Sequence, residues 1–433
     1  MESYSSRKTK DYVSDHIEAE KHVKKIGRNV FVKPKIINQK TIWNENIKKM
    51  LRLFNKKREL TIAEISRELN ISIPTVSKNI NQLIEEGLVE EAGVSLSRGG
   101  RRPMLIKFIP DAYYSFGVEF SSERQARIIL TNLESIIIAE SVLQDPDFHD
   151  INALMQEVHR QVGRLLVDNK IPAQKVLGIG FSLPGTTDEE IGLLKTAPNL
   201  MTRSLVKFRN VDFTKYESLL GLPLFIENDA NAAAMAELTL GIAKVMQSLV
   251  FLSILPYGIG GAIVVGGHLY QGKNKRAGEF GHMKISSHNR RCFCGRRDCW
   301  EVYASLNALV TMYREQTGKA ISSVNDFFAC LKKYDRMALE VFDEYLDHLA
   351  AGIQNIILIQ DPHYVIIGGM LSLFEEFFLE PLQEKVFVEN SFFDRADVQI
   401  KSSALKENAS ILGASLLPLE RVFSYHEKLS KTA

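Results

Sequence analysis

Cysteine is scarce, with four in 433 residues, too few for a disulfide framework, yet Cys292, Cys294 and Cys299 are crowded together. In a reducing compartment such crowding points to a metal rather than to cross-links. An apolar leader is also lacking: residues 1–25 alternate charges without an h-region, so no secretory signal is expected and a cytoplasmic location is. The apolar stretch at 248–267 (SLVFLSILPYGIGGAIVVGG) has about the length that spans a bilayer. Pro256 and the Gly258, Gly260, Gly261 cluster split it into two short β-branched runs, which predicts strand, turn, strand and no membrane span. Net charge is nearly absent as well, +2 from 54 basic and 52 acidic residues, and on its own this argues against a nucleic-acid partner. A chain with 45% hydrophobic and 24% charged residues is neither disordered nor fibrous, and its length suits roughly two to four domains.

Charge reappears when the chain is divided. Residues 1–110 hold 22 basic and 13 acidic side chains, a net +9, and the remainder holds 32 and 39, a net −7. A basic block joined to a mildly acidic body is the footprint of a nucleic-acid-binding module. Residues 1–40 lack an apolar period and read as a basic arm. From 41 to 110 the pattern is three short helices and two β-like runs. Ile47, Met50, Leu51 and Phe54 share one helical face. Thr61 and Glu64 form a capping box before Ile62, Ile65 and Leu69. Asn70 to Ser72 make a turn, Pro74 suits the first turn of a third helix, and Gly87 ends it. This is a winged helix-turn-helix. Its third helix is expected to expose Ser72, Thr75, Ser77, Lys78, Asn79 and Gln82 to base edges and phosphates, with Arg98, Arg101 and Arg102 at the wing tip for the backbone or minor groove. A winged helix used for protein contacts alone is the alternative.

After residue 110, strands and helices alternate, which predicts an α/β body of two similar halves with ligand loops at the carboxyl ends of strands. Its chemical signal is His282, Cys292, Cys294 and Cys299. Three thiolates and an imidazole complete a tetrahedral shell with no open position, the make-up of a structural zinc site. His288 is the rival imidazole, and Cys330 reads as a core residue.

The run GEFGH (278–282), then C-x-C-G-x-x-x-C-x-E (292–301), resembles the signature of the ROK family (repressors, open reading frames, sugar kinases). IENDANAAAMAE at 226–237, LPG at 183–185, GIGG at 258–261 and VIIGG at 365–369 extend the resemblance from about residue 41 to the end. RGGRRP at 98–103 looks like the wing of the family's regulators, and the likeness is greatest to xylose-type repressors. Asp298 departs from the pattern, standing where the family usually has glycine, a strain on the loop that removes no ligand.

The resemblance implies a two-lobed actin/hexokinase-like, ribonuclease-H-like body over 111–433. The lobes would meet near 228–240, with the last helix returning to the first lobe. It also implies that Asn228, Asp229, Glu279, His282 and Glu301 bind sugar hydroxyls, Asp229 standing where the kinases keep their base. Carboxylates and amides suit vicinal hydroxyls, and one His282 nitrogen could hold zinc while the other faces the sugar. Asn228 and Asp229 also suit a helix N-cap; Gly185 and Asn199 either touch sugar or make turns. The family's phosphate loop, D-x-G-G-T, is replaced here by Glu119, Phe120, Ser121, Ser122 and Glu123, losing both glycines and adding a carboxylate where phosphates would lie. The second phosphate stretch is half kept at 256–261. No ATP binding and no enzymatic activity are therefore expected. The expected function is a repressor of carbohydrate-utilisation genes, a homodimer or dimer of dimers released from operator DNA by a sugar such as xylose. Its rivals are a ROK sugar kinase with an appended DNA-binding domain and a regulator that answers to a protein partner.

Overall fold

The computed structural model describes residues 45–94, 103–121, 125–144, 150–197, 208–388 and 392–423. The arm at 1–40, Arg98, Arg101 and Arg102, and Ser122, Glu123 and Asn199 lie outside them. Helix α1 (Glu45–Lys57) buries Ile47, Met50, Leu51 and Phe54, the face set by its spacing. Before α2 (Ile62–Leu69), the Thr61 hydroxyl accepts from the Glu64 N–H at 3.2 Å while Glu64 accepts from the Thr61 N–H at 2.8 Å. This reciprocal box satisfies two donors that a helix start leaves open and is worth about 1 kcal/mol. Asn70, left-handed at φ 52, ends α2; Pro74 opens α3 (Ile73–Glu85) and Gly87, at φ 71, follows it. Strands β2 (Val89–Val94) and β3 (Met104–Phe108) pair antiparallel. A third strand, β1 (Glu59–Thr61), adds to the other edge of β3, and at three residues it carries no period that a sequence could display.

The body repeats one sheet twice. In the first lobe, β4 (Tyr114–Ser121), β5 (Gln125–Asn132) and β6 (Ile137–Gln144) form an antiparallel meander, followed by α4 (Ile151–Asp168) and β7 (Val176–Leu183) parallel to β4. A small sheet of β8 (Thr186–Asp188), β9 (Leu193–Ala197) and β10 (Phe208–Asp212) lies between β7 and β11 (Leu224–Asn228), which pairs parallel to β7 and leads into α5 (Asp229–Thr239). The second lobe has β12 (Ser248–Leu255), β13 (Gly258–Val265) and β14 (His268–Leu269), then α6 (Leu306–Thr317), α7 (Val324–Lys332), α8 (Arg336–Gln360), β15 (Tyr364–Gly368), α9 (Glu375–Val386) and β16 (Gln399–Ser402). Both five-stranded sheets run fifth, fourth, first, second, third along the chain's own order, with the first three strands antiparallel and the last two parallel. Strand β7 is buried at every position, as a central strand covered on both faces must be.

The last helix, α10 (Ala409–Phe423), leaves the second lobe and packs on β4, β7 and α5 of the first, and also on α1. A side chain at Gly413 would put its Cβ 1.9 Å from the Ala232 carbonyl oxygen, so α10 and α5 touch backbone to backbone only because that position is glycine. One apolar core joins Met50, Phe54, Ile80 and Phe108 of the winged helix to Ile411, Leu416, Leu419 and Phe423 of α10.

Candidate functional site

The carboxyl ends of β4, β7, β11 and β12 open on one cleft between the lobes, a cavity of about 280 Å³. It is lined by Glu119, Asn228, Asp229, Glu279, His282 and Glu301 among others, so the five residues expected to bind sugar are brought together from β11, α5 and the loops after β14. Asn228 caps α5: its Oδ1 accepts from the Ala230 and Asn231 N–H groups at 3.0 and 3.1 Å, and its Nδ2 donates to the Gly185 carbonyl at 2.9 Å. One amide hydrogen remains for a ligand, so capping and binding are compatible. Asp229 accepts from the Ala230 N–H at 2.8 Å through Oδ1 and lines the cavity. Burial, reinforced by the Glu119 and Glu279 carboxylates, pushes its carboxyl up to about 7.

Glu301 is buried, 3.4 Å from His282 Nδ1, and accepts from the Cys292 thiol at 2.8 Å. His282 turns its other nitrogen, Nε2, toward Glu279 at 3.9 Å. The ligand atoms of His282, Cys292, Cys294 and Cys299 all lie within 4.8 Å of one another, with Cys294 Sγ to Cys299 Sγ and Cys292 Sγ to His282 Nδ1 both 3.7 Å. Thiolates about 2.3 Å from a tetrahedral metal stand at such separations. Burial raises the Cys292 thiol and pushes Cys299 up to about 11; a divalent cation would supply the charge that makes both thiolates. These four residues could hold a metal ion. His288 does not join them, its Nδ1 lying 2.9 Å from the Ser286 hydroxyl. Asp298 is left-handed at φ 61, the conformation glycine favours, and its carboxylate offsets the strain by accepting from the Tyr303 hydroxyl at 2.7 Å and the Arg290 N–H at 2.9 Å. Cys330 is half-buried against the second lobe's core.

At the end of β4, Glu119 is ion-paired to Arg127 at 3.8 Å, and Arg127 also binds Glu140 at 3.0 Å and donates to the Asn408 side-chain oxygen Oδ1 at 2.8 Å. Burial raises the Glu119 carboxyl, against the lowering effect of Ser410 and Arg127. The glycine cluster has a packing cause: a Cβ at Gly261 would meet the Phe280 ring at 2.5 Å.

On the recognition helix the expectation needs one correction. Asn79 is 3% exposed, on the face of Val76, Ile80 and Leu83, so it serves the domain core and not DNA. Ser72 and Lys78 are exposed, Thr75, Ser77 and Gln82 half-buried, and Asn81, which was not anticipated, is exposed beside Lys78. Its signal was the helical period itself, since 74, 77, 78 and 81 fall opposite 76, 80 and 83. Sequence reasoning also missed the residues that span the mouth of the cleft. Lys275 of the second lobe binds Glu189 of the first at 2.7 Å, and Gln271 donates to Glu227 at 3.1 Å. Glu227 is buried and also accepts from Asn231 at 3.0 Å; burial and Glu189 push its carboxyl up to about 7.

The ROK family model matches residues 122–421, and a winged helix-turn-helix DNA-binding model matches residues 44–90. The chain is 28% identical over 376 residues to a xylose repressor of Caldicellulosiruptor bescii, covering 84% of this chain and 92% of that one. It is 33% identical over 260 residues to a glucokinase of Thermotoga maritima, covering 56% of this chain and 80% of that one. Among solved structures, a ROK family transcriptional regulator described as a homolog of the Escherichia coli MLC protein superposes with a TM-score of 0.73 at 22% identity, over 88% of this chain and 96% of that one. No helix among the described residues is long and apolar enough to cross a membrane.

Proposed function

The chain belongs to the ROK family, and from that premise we propose that it is a DNA-binding transcriptional repressor of carbohydrate-utilisation genes whose two-lobed body senses a free sugar. Xylose is the first candidate, because relatives of nearly the same length are named for it. The observation that carries the reading is α10, which packs on the helix that starts at Asp229 and shares a core with the winged helix. A change in how the lobes close on a sugar therefore has a rigid element through which to reach α3 and its DNA. By linkage, the sugar shifts operator affinity only as far as it binds the two arrangements differently.

In this role Asn228, Asp229, Glu279 and Glu301 exchange hydrogen bonds with ring hydroxyls. Zinc would be held by His282, Cys292, Cys294 and Cys299, would supply structural cross-linking without an open coordination position, and would fix the His282 ring whose Nε2 faces the cavity. Glu119 and its Arg127 partner stand at the end of β4, at the position of the family's phosphate-loop aspartate, which supports a sugar without a nucleotide. The protein acts as a sensor in the cytoplasm and not as a kinase. A two-fold dimer, or a pair of dimers, would read a palindromic operator, and its binding would weaken steeply with salt through contacts from the basic block.

Titrating the protein on its own promoter DNA with xylose, glucose and N-acetylglucosamine tests the proposal. One of them should lower operator affinity; unchanged affinity across the panel would overturn it. The glucokinase relative keeps a kinase in view, and sugar-dependent ATP turnover in a coupled assay would establish that reading instead.

A further inference from the structure

The cleft holds more room than a monosaccharide uses. Between the small sheet of β8 to β10 and the cysteine loop lies a second cavity of about 740 Å³, which shares Gly185, Glu279 and His282 with the 280 Å³ pocket, so the two chambers adjoin. Their charges are opposite. The inner chamber is lined by Glu119, Asp229, Glu279, Glu301 and Glu407 against Arg127 and Lys406. Among the described residues, the outer one has Arg209, Arg276 and Arg296 against Glu279, over an apolar floor that includes Phe208 and Met283.

The three guanidinium groups arrive from separate parts of the fold: β10 of the first lobe, the loop after β14, and the cysteine loop. All three are exposed. Some arginines of this body are neutralised by neighbours, as Arg127 is by Glu140 and Arg395 by Glu380. Among the described residues, Arg209, Arg276 and Arg296 have no such ion pair. Like charges gathered around one cavity repel each other until an anion joins them, and the guanidinium fork matches the paired oxygens of phosphate and carboxylate. The acidic inner chamber would repel the same anion, which orients any ligand that carries both a neutral ring and a charge.

We propose that the outer chamber is a subsite for an anionic group, phosphate or carboxylate, carried by a sugar whose neutral ring occupies the inner pocket. This rests on the sugar-sensing reading of the inner chamber and names the ligand class more narrowly: a phosphorylated sugar or a sugar acid.

Calorimetric titration of the full chain at low salt tests it with xylose, xylose 1-phosphate, glucose, glucose 1-phosphate, glucose 6-phosphate and glucuronic acid. The two ends of the glucose ring are probed separately, and glucose 6-phosphate against glucuronic acid separates phosphate from carboxylate. At least one anionic sugar should bind about tenfold more tightly than its neutral parent, the gain that a few partly exposed charge-assisted contacts give. In the Arg209→Ala/Arg296→Ala variant that gain should vanish, with the neutral parent's affinity unchanged, and Arg→Lys at both positions should restore part of it. If every anionic sugar binds no more tightly than its parent, or if the preference survives the double variant, the proposal is overturned. Inorganic phosphate, followed by broadening of its phosphorus resonance, separates the two readings. Broadening that the double variant abolishes, with no sugar bound, upholds the anion subsite and removes the sugar reading; no broadening and no sugar binding removes both.

Discussion

If α10 is the joint between sensing and DNA binding, cutting its contact with the winged helix should uncouple the two activities without destroying either. Phe423, the last residue of α10, is fully buried and meets Phe108 of β3 edge to face, ring centroids 6.3 Å apart at 64°. Phe423→Ala removes a buried ring, a change that costs about 3–5 kcal/mol, of which about 0.5–1.5 kcal/mol belongs to the aromatic pair itself. The free energy by which one ligand alters another's affinity is ordinarily about 1–3 kcal/mol. The joint therefore loses more than it has to transmit, and the winged helix should no longer report the state of the lobes.

The assay is a linkage square. Operator affinity is measured by fluorescence anisotropy with and without sugar, and sugar affinity by calorimetry with and without operator. In the unaltered protein the two ratios must agree, since coupling is reciprocal. In Phe423→Ala both should fall toward one, while sugar affinity without DNA and operator affinity without sugar change little. Phe423→Leu, which keeps apolar volume and loses only the ring pair, should retain most of the coupling and guards against simple unfolding of the alanine variant. A folded Phe423→Ala protein with full sugar response would refute the assignment of α10 as the joint.

Three further outcomes follow from the geometry. Glu227 has its carboxyl pushed from 4.5 to about 7, so its contribution to stability is full below about pH 4.5 and is lost as pH rises through 7, by roughly 3 kcal/mol at most. Glu227→Gln should flatten urea-melt stability between pH 5 and 8, Gln271 turning its amide to accept; parallel pH profiles for the two proteins would sink the reasoning. On the recognition helix, Asn81→Ala should weaken operator binding by about tenfold with an unchanged thermal melt, whereas Asn79→Ala should lower the melting temperature; the reverse pattern would mean that the helix faces the other way. His282→Ala and Cys294→Ser should each lose metal, measured by elemental analysis, and His282→Ala should lose the sugar response with it. A His282→Ala protein that keeps stoichiometric metal and normal sugar release would show that the ring has no dual role.

What the sequence made legible, and what it hid, follows from the range over which each signal acts. Capping at Thr61 and Glu64, the left-handed exits at Asn70 and Gly87, and the crowding of Cys292, Cys294 and Cys299 are local, because caps, turns and chelate spacing are decided within a few residues. The departure from the family's phosphate loop was legible because Ser121 and Ser122 in place of glycine change backbone approach, and Glu123 in place of threonine adds a charge, at fixed positions. Asn79 was misread although its signal was present: it lies three residues after Val76 and four before Leu83, and polarity was weighed above helical phase. The Glu227 cluster could not be read, since Gln271 reaches it from 44 positions away and neither residue stands in a pattern that pairs them. The same holds for α10. Its glycine at 413 looks like a defect in a helix, worth about 1 kcal/mol against it, until Ala232 is seen 1.9 Å from where a Cβ would stand. The glycine is there because two helices must meet at that spacing, one starting at the candidate sugar ligand and the other ending in the core of the DNA-binding domain. A residue that weakens its own helix and brings the helix of the candidate sugar ligand against the one that reaches the winged helix is intelligible only at the level of the whole molecule.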